Sequence, residues 1–222
     1  MNWYVGVSGG YTSTDIDEFG QSAFDDVTDA LGFQLSPSDR FVPDKVRIDD
    51  SDTGWKVFGG VKLSRFLAME VFYVHLGKYS QSVATPALAD LGWNGIEFDV
   101  LDGTFTVHSG FEANAYGAEV IGKVPVNERI ELFAKLGLAS WDVEADISGS
   151  LSGTTIDGSP GALPARSVSV DDDGTDIVWG FGGALKFSDH WNARLEWERF
   201  EINAFNQDAD TDYISLGIEF VF

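Results

Sequence analysis

The sequence predicts an all-β fold: an eight-stranded antiparallel up-and-down transmembrane β-barrel, with three short turns on one rim and four long loops on the other. Three observations predict it. Eight segments alternate apolar and polar residues over about ten or more positions, longer than the ~5–6 of a typical globular strand and close to the ~9–11 of a tilted membrane-spanning one. Their connections alternate between tight and long. Charged residues collect on one strand parity, which a closed barrel can turn inward.

The strands are expected at Trp3–Ser13, Gly54–Leu63, Leu67–Ser80, Phe111–Val124, Arg129–Asp142, Gly174–Phe187, Trp191–Phe200 and Thr211–Phe222. The tight connections are Ser64-Arg65-Phe66, Pro125-Val126-Asn127-Glu128 and Ser188-Asp189-His190. The long ones are residues 14–53, 81–110, 143–173 and 201–210. Bacterial outer-membrane barrels show this asymmetry, with the short turns in the periplasm and the long loops outside. In the first loop Phe24, Val27 and Leu31 have helical spacing, which fits a short helix or a loop packed on the barrel mouth.

Parity supplies the sharpest test. In the last strand Ile214, Leu216, Ile218, Phe220 and Phe222 share one face, and Tyr213, Ser215, Gly217, Glu219 and Val221 the other. Across the strands the expected inward charges are Lys56, Lys62, Glu70, Lys78, Glu119, Lys123, Glu131, Lys135, Asp176, Lys186, Arg194, Glu196, Glu198 and Glu219. Only Glu112 and Arg199 fall on the outward parity, both near the long-loop rim, where a charge facing lipid costs little. A soluble barrel would alternate too, with its polar face outside. Strand length, connection asymmetry and aromatic placement decide for the membrane. Trp3, Phe66, Phe187, Trp191, Phe220 and Phe222 lie towards the short-turn rim, and Tyr11, Trp55, Tyr79, Phe111, Trp179 and Tyr213 towards the other.

Composition narrows the function. The 222 residues carry 14 Lys plus Arg against 36 Asp plus Glu, a formal charge of -22 that argues against nucleic acid. The absence of cysteine removes disulfides, thiol nucleophiles and Cys-zinc sites. No run of ~18 apolar residues could form a membrane helix. An exported chain would have lost its leader, with Met1 an added start. No linker or change of composition appears, so residues 1–222 are expected to form one domain.

The closing residues Tyr213-Ile-Ser-Leu-Gly-Ile-Glu-Phe-Val-Phe222 resemble the signature read by the barrel-assembly machinery, which makes Ile218, Phe220 and Phe222 the expected assembly signal. The stretch Gly180–Phe200 looks like a strand-turn-strand of OmpA-like and opacity-type small outer-membrane barrels. Leu67–Gly77 is similar to their third strand. The resemblance implies a bacterial outer membrane, contact with its lipid and lipopolysaccharide, and a monomer.

Three constellations remain. Counted from the short turns, Glu70, Glu119, Lys135, Arg194 and Glu196 share a mid-barrel height and should pair as a plug or a re-pairing gate. The resemblance implies internal ion pairs as well. Acid concentrates outside: the first long loop holds eleven Asp and Glu, and Asp171, Asp172, Asp173 and Asp176 cluster as weak metal candidates. Solvated acidic loops are the plainer reading of both. The histidines, His75, His108 and His190, form no convincing set with a serine and an acid, so no enzyme and no cofactor are expected. A lipocalin-type soluble barrel would enclose an apolar pocket, whereas this inward face is charged. The sequence therefore points to a scaffold with acidic extracellular loops that meet surface ligands or divalent cations. A narrow ion channel is the alternative.

Overall fold

A computed structural model describes residues 2–14, 33–34, 45–49, 51–87, 91–93, 96–98, 100–155, 160–204, 207–208 and 210–222. Eight strands form the barrel: β1 Asn2–Thr14, β2 Ser51–Lys62, β3 Leu67–Ala87, β4 Val100–Pro125, β5 Ile130–Thr155, β6 Pro160–Lys186, β7 Trp191–Phe200 and β8 Thr211–Val221. Each pairs antiparallel with its sequence neighbour, and β1 pairs with β8 to close the ring. Closure leaves no open backbone edge in hydrocarbon, where an unsatisfied amide is costly. The predicted loop helix lies outside the described residues.

The three tight turns close alike. Leu63 N and Ser64 N donate to Leu67 O, Val126 N and Asn127 N to Ile130 O, and Phe187 N and Ser188 N to Trp191 O. A side chain completes each of them: Ser64 Oγ accepts from Phe66 N, Asn127 Oδ1 from Arg129 N and Ile130 N, and Ser188 Oγ from Trp191 N. Both chain ends sit on this rim, with Asn2 opposite Lys62 and Phe222 N donating to Trp3 O.

The strands run further than the alternation suggested on the opposite rim. The ladder between β5 and β6 continues from Leu185↔Ile130 to Pro160↔Thr154. Most of residues 143–173, expected as a loop, is therefore paired strand. Likewise β3 and β4 pair out to Ala87↔Gly103, inside the expected 81–110 loop. A short strand, Lys45–Asp49, flanks the far end of β3. Above the lipid the outer face meets water and carries Glu144 and Asp146, while Val143 and Ala145 stay buried inside. The apolar-outward alternation that marks a membrane strand is lost there while the backbone ladder continues.

The predicted parity is right for most of the wall. Val7, Val71, Leu136, Leu138, Phe181, Leu195 and Leu216 are all exposed on the outside, and Leu216 is 66% accessible. Such a continuous apolar exterior is the surface a bilayer requires. One stretch overturns it. The β3–β4 register slips between His75 and Gly77, and Gly77 has φ +99°. This bulge adds one residue and reverses the alternation beyond it. Lys78, expected inside, is exposed outside, and Tyr79, expected in the outer aromatic belt, is buried.

Candidate functional site

The lumen is built in layers. Towards the short-turn rim Tyr4, Phe58 and Phe133 are buried, with the Tyr4 and Phe58 rings 6.5 Å apart edge to face. Further up, Phe72, Phe200 and Tyr213 are buried, and Phe72 and Phe200 meet at 6.0 Å. Between these aromatic layers lies a belt of ions.

The belt contains all five residues read from the sequence. Glu70 accepts from Arg194 Nη1 at 2.8 Å and from the Tyr4 hydroxyl at 3.0 Å. Lys135 Nζ donates to Glu196 and lies 3.4 Å from both Glu70 Oε1 and Glu119 Oε2. Arg194 Nε contacts Glu196 Oε1, while its Nη1 is 3.2 Å from Glu219 Oε2. Cation–π contacts join the layers: Lys56 Nζ lies 4.3 Å from the Phe72 centroid and the Arg194 guanidinium 4.3 Å from that of Phe58.

Two members were missed at mid-height. Lys56 Nζ is 2.6 Å from Glu198 Oε1, and Lys135 Nζ is 3.0 Å from the same oxygen. Counting residues from the turns sets Lys56 and Glu198 too high, because it ignores strand tilt and stagger. The ladder instead runs Lys135↔Gly180↔Glu198. Both residues already had the inward parity, so the signal was present and only the height was misjudged. Glycine makes room here: a Cβ on Gly180 would lie 2.9 Å from Glu198 Cγ. Gly60 does the same between Tyr4 and Glu70, where a Cβ would come within 2.4 Å of the Tyr4 hydroxyl.

Below the belt, Lys62 and Asn192 hold Glu219 at 3.0 and 2.8 Å, and Lys123 holds Glu131 at 2.9 Å. A polar cavity of about 320 Å³ opens to the short-turn rim among Lys62, Arg129, Glu131, Lys186 and Asn192. Lys186, expected to face inward, is half-exposed at this rim and pairs with Asp189 at 3.2 Å.

The acids proposed for a metal do not converge. Asp171 and Asp173 are exposed, while Asp172 and Asp176 alternate to the other, half-buried face. Asp176 is engaged by Trp141 Nε1 at 2.8 Å and Asn203 N at 3.2 Å. Among the described residues no group of three or more His, Asp or Glu is placed to hold a metal ion. The outward exceptions are paired: Arg199 grips Asp212 through two bonds of 2.7 and 2.8 Å, and Glu112 meets Lys78. His75 Nδ1 bonds Asn114 Oδ1 at 2.9 Å and lies 3.9 Å from Glu112. His190 stacks on Phe220, and His108 is exposed on β4.

At the rim, Asp52 Oδ2 accepts from Lys78 N at 2.7 Å. That bond, with a second from the Thr53 backbone, holds the Asp52 carboxyl below the usual aspartate range. The Glu112 carboxylate raises the Lys78 ammonium above its ordinary value.

Residues 2–222 match the family model described as the outer membrane protein beta-barrel domain. The chain belongs to that family. This outer-membrane barrel accordingly resides in the bacterial outer membrane, its short turns periplasmic and its taller rim extracellular. Solved structures share its outline at low identity. OprG from Pseudomonas aeruginosa is 10% identical, with 100% of this chain and 96% of that one covered and a TM-score of 0.48. Neisserial surface protein A is 11% identical, with 99% and 97% covered and a TM-score of 0.47. Ail, the attachment invasion locus protein of Yersinia pestis, is 13% identical over the whole of both chains, with a TM-score of 0.44, in a complex with the heparin analogue sucrose octasulfate. No curated protein matches the chain.

Proposed function

We propose that this outer-membrane barrel is a closed scaffold whose extracellular surface, and not its lumen, makes its working contacts. The observation that carries this reading is the filled cross-section. The ion belt lies between two aromatic layers, and Tyr4, Tyr213, Lys56, Phe200, Glu70, Glu119 and Glu198 are all essentially inaccessible. An ion crossing the belt would have to separate pairs that the low-dielectric lumen holds tightly.

The contact surface is the wall of β4, β5 and β6 above the lipid. Its outer face carries Asp142, Glu144, Asp146, Asp171 and Asp173, all exposed. Glu112, Glu144 and Asp171 lie opposite one another across three strands, and Asp142 lies opposite Asp173. Like charges in register cost stability. A face of this sign attracts basic surface ligands or divalent cations bridging to lipopolysaccharide, and it repels polyanions. The apolar exterior is the contact with membrane lipid. Ile218, Phe220 and Phe222 serve as the assembly signal for the barrel-assembly machinery, and the barrel works as a monomer without a cofactor or catalytic set.

Planar-bilayer recording with the purified barrel tests the reading. A silent bilayer is expected, while cells carrying Glu144→Lys and Asp171→Lys lose adhesion to cationic surfaces. Resolved conductance steps that change on Arg194→Ala would establish the channel alternative instead.

A further inference from the structure

The lumen charges do not cancel. Five carboxyl groups are buried among the described residues, Glu70, Glu119, Glu196, Glu198 and Glu219, against four cations, Lys56, Lys123, Lys135 and Arg194. Adding the partly exposed partners leaves the sum unchanged, because Lys62 joins Glu219 and Glu131 joins Lys123. One negative charge is in excess, enclosed between aromatic layers where an uncompensated charge is strongly disfavoured.

Geometry singles out two carboxyls. Glu119 and Glu198 share the same two ammonium groups. Lys56 Nζ lies 2.6 Å from Glu198 Oε1 and 3.7 Å from Glu119 Oε2. Lys135 Nζ lies 3.0 and 3.4 Å from the same two oxygens. Neither oxygen of Glu119 has a hydrogen-bond partner, nor has Glu198 Oε2, and all three are buried. Ionised carboxylates only accept, so these orphaned acceptors call for a donor, and a proton on one acid supplies it. A sodium or potassium ion would instead be placed beside two ammonium groups that repel it.

We propose that Glu119 and Glu198 hold one proton between them, so that the lumen is neutral as folded. Glu119 is its carrier. Its lysine contacts are the longer ones, and Glu70 stands directly opposite it in the β3–β4 ladder, disfavouring a second charge there. The charged groups facing Glu119 are thus Lys56 from β2, Glu70 from β3, Lys135 from β5 and Glu198 from β7. Glu70 stays ionised through Arg194 at 2.8 Å. The pair behaves oppositely to an ion-paired carboxylate. A proton retained on folding means that the pair's contribution to stability falls as pH rises, until the proton has left.

Infrared spectroscopy of the barrel in bilayers tests this. At neutral pH the wild type minus E119Q difference spectrum should contain the carbonyl band of a protonated carboxylic acid, shifting in heavy water. E119Q should equal or exceed the wild type in stability, its advantage growing with pH and then levelling. E198Q should unfold more readily than E119Q, since Glu198 Oε1 accepts from both lysines; equal loss would move the proton off Glu119 and overturn the assignment. If E119Q fails to assemble, the wild-type spectrum alone decides: no protonated carboxylic acid at neutral pH refutes the proposal. Sodium-dependent stability that E119Q abolishes would refute it too, by placing a metal cation where the proton is assigned.

Discussion

Lys78 and Glu112 meet at 2.7 Å on the outside of the barrel, directly opposite one another in the β3–β4 ladder. They would face opposite sides if strict alternation held from Leu67 onward. The extra residue between His75 and Gly77 brings them together and turns Tyr79 inward. One bulge thus decides which charges belong to the lumen and which to the extracellular surface.

Gly77→Val tests that device. A β-branched side chain at φ +99° is strained, and its Cβ would lie 2.8 Å from Asp52 Cβ. The cost should be about 1–3 kcal/mol. Lys78→Ala, which breaks only an exposed pair, should cost much less. Urea unfolding in lipid vesicles, followed by tryptophan fluorescence, should rank the two variants in that order.

Arg194→Ala takes a guanidinium from Glu70, Glu196 and Glu219 at once, leaving three buried carboxylates to Lys135 and Lys62. Breaking a buried pair from one side costs ~3–5 kcal/mol, so this variant should be among the least stable single substitutions. Loss of heat-modifiable migration on gels at a lower temperature than wild type is the expected readout.

Tyr4→Phe removes a donor from Glu70 without changing shape, and ~1–3 kcal/mol should be lost. Gly60→Leu should do at least as much damage by occupying the space of the Tyr4 ring. The same vesicle unfolding assay measures both.

Leu216→Arg places a charge near the middle of β8 on the outer surface, at an expected cost of ~2–4 kcal/mol. In intact membranes a cysteine at Leu216 should resist a water-soluble thiol reagent. Rapid labelling there would mean that the apolar face is not in lipid.

The Asp52 carboxyl gives a pH dependence of known sign. Its proton affinity is lowered in the folded state by bonds from the Lys78 and Thr53 backbones. The stabilisation is fully present above the ordinary aspartate range near pH ~4 and is lost as pH falls through the lowered folded value. Amide exchange at Lys78 should therefore accelerate only in strong acid, and Asp52→Asn should show faster exchange already at neutral pH.

The sequence by itself determined the strand count, the three tight turns, the lipid-facing residues and the charged parity of the lumen. Each follows from a local rule: period-2 alternation against hydrocarbon, and turn residues where the chain must reverse. Tertiary structure decided what depends on neighbouring strands. The bulge between His75 and Gly77 reverses the faces, strand tilt lowers Lys56 and Glu198 into the ion belt, and ladder pairing carries β5 and β6 far beyond the membrane. None of these leaves a periodic trace in one strand, because register, stagger and charge balance are properties of the closed ring rather than of any single segment.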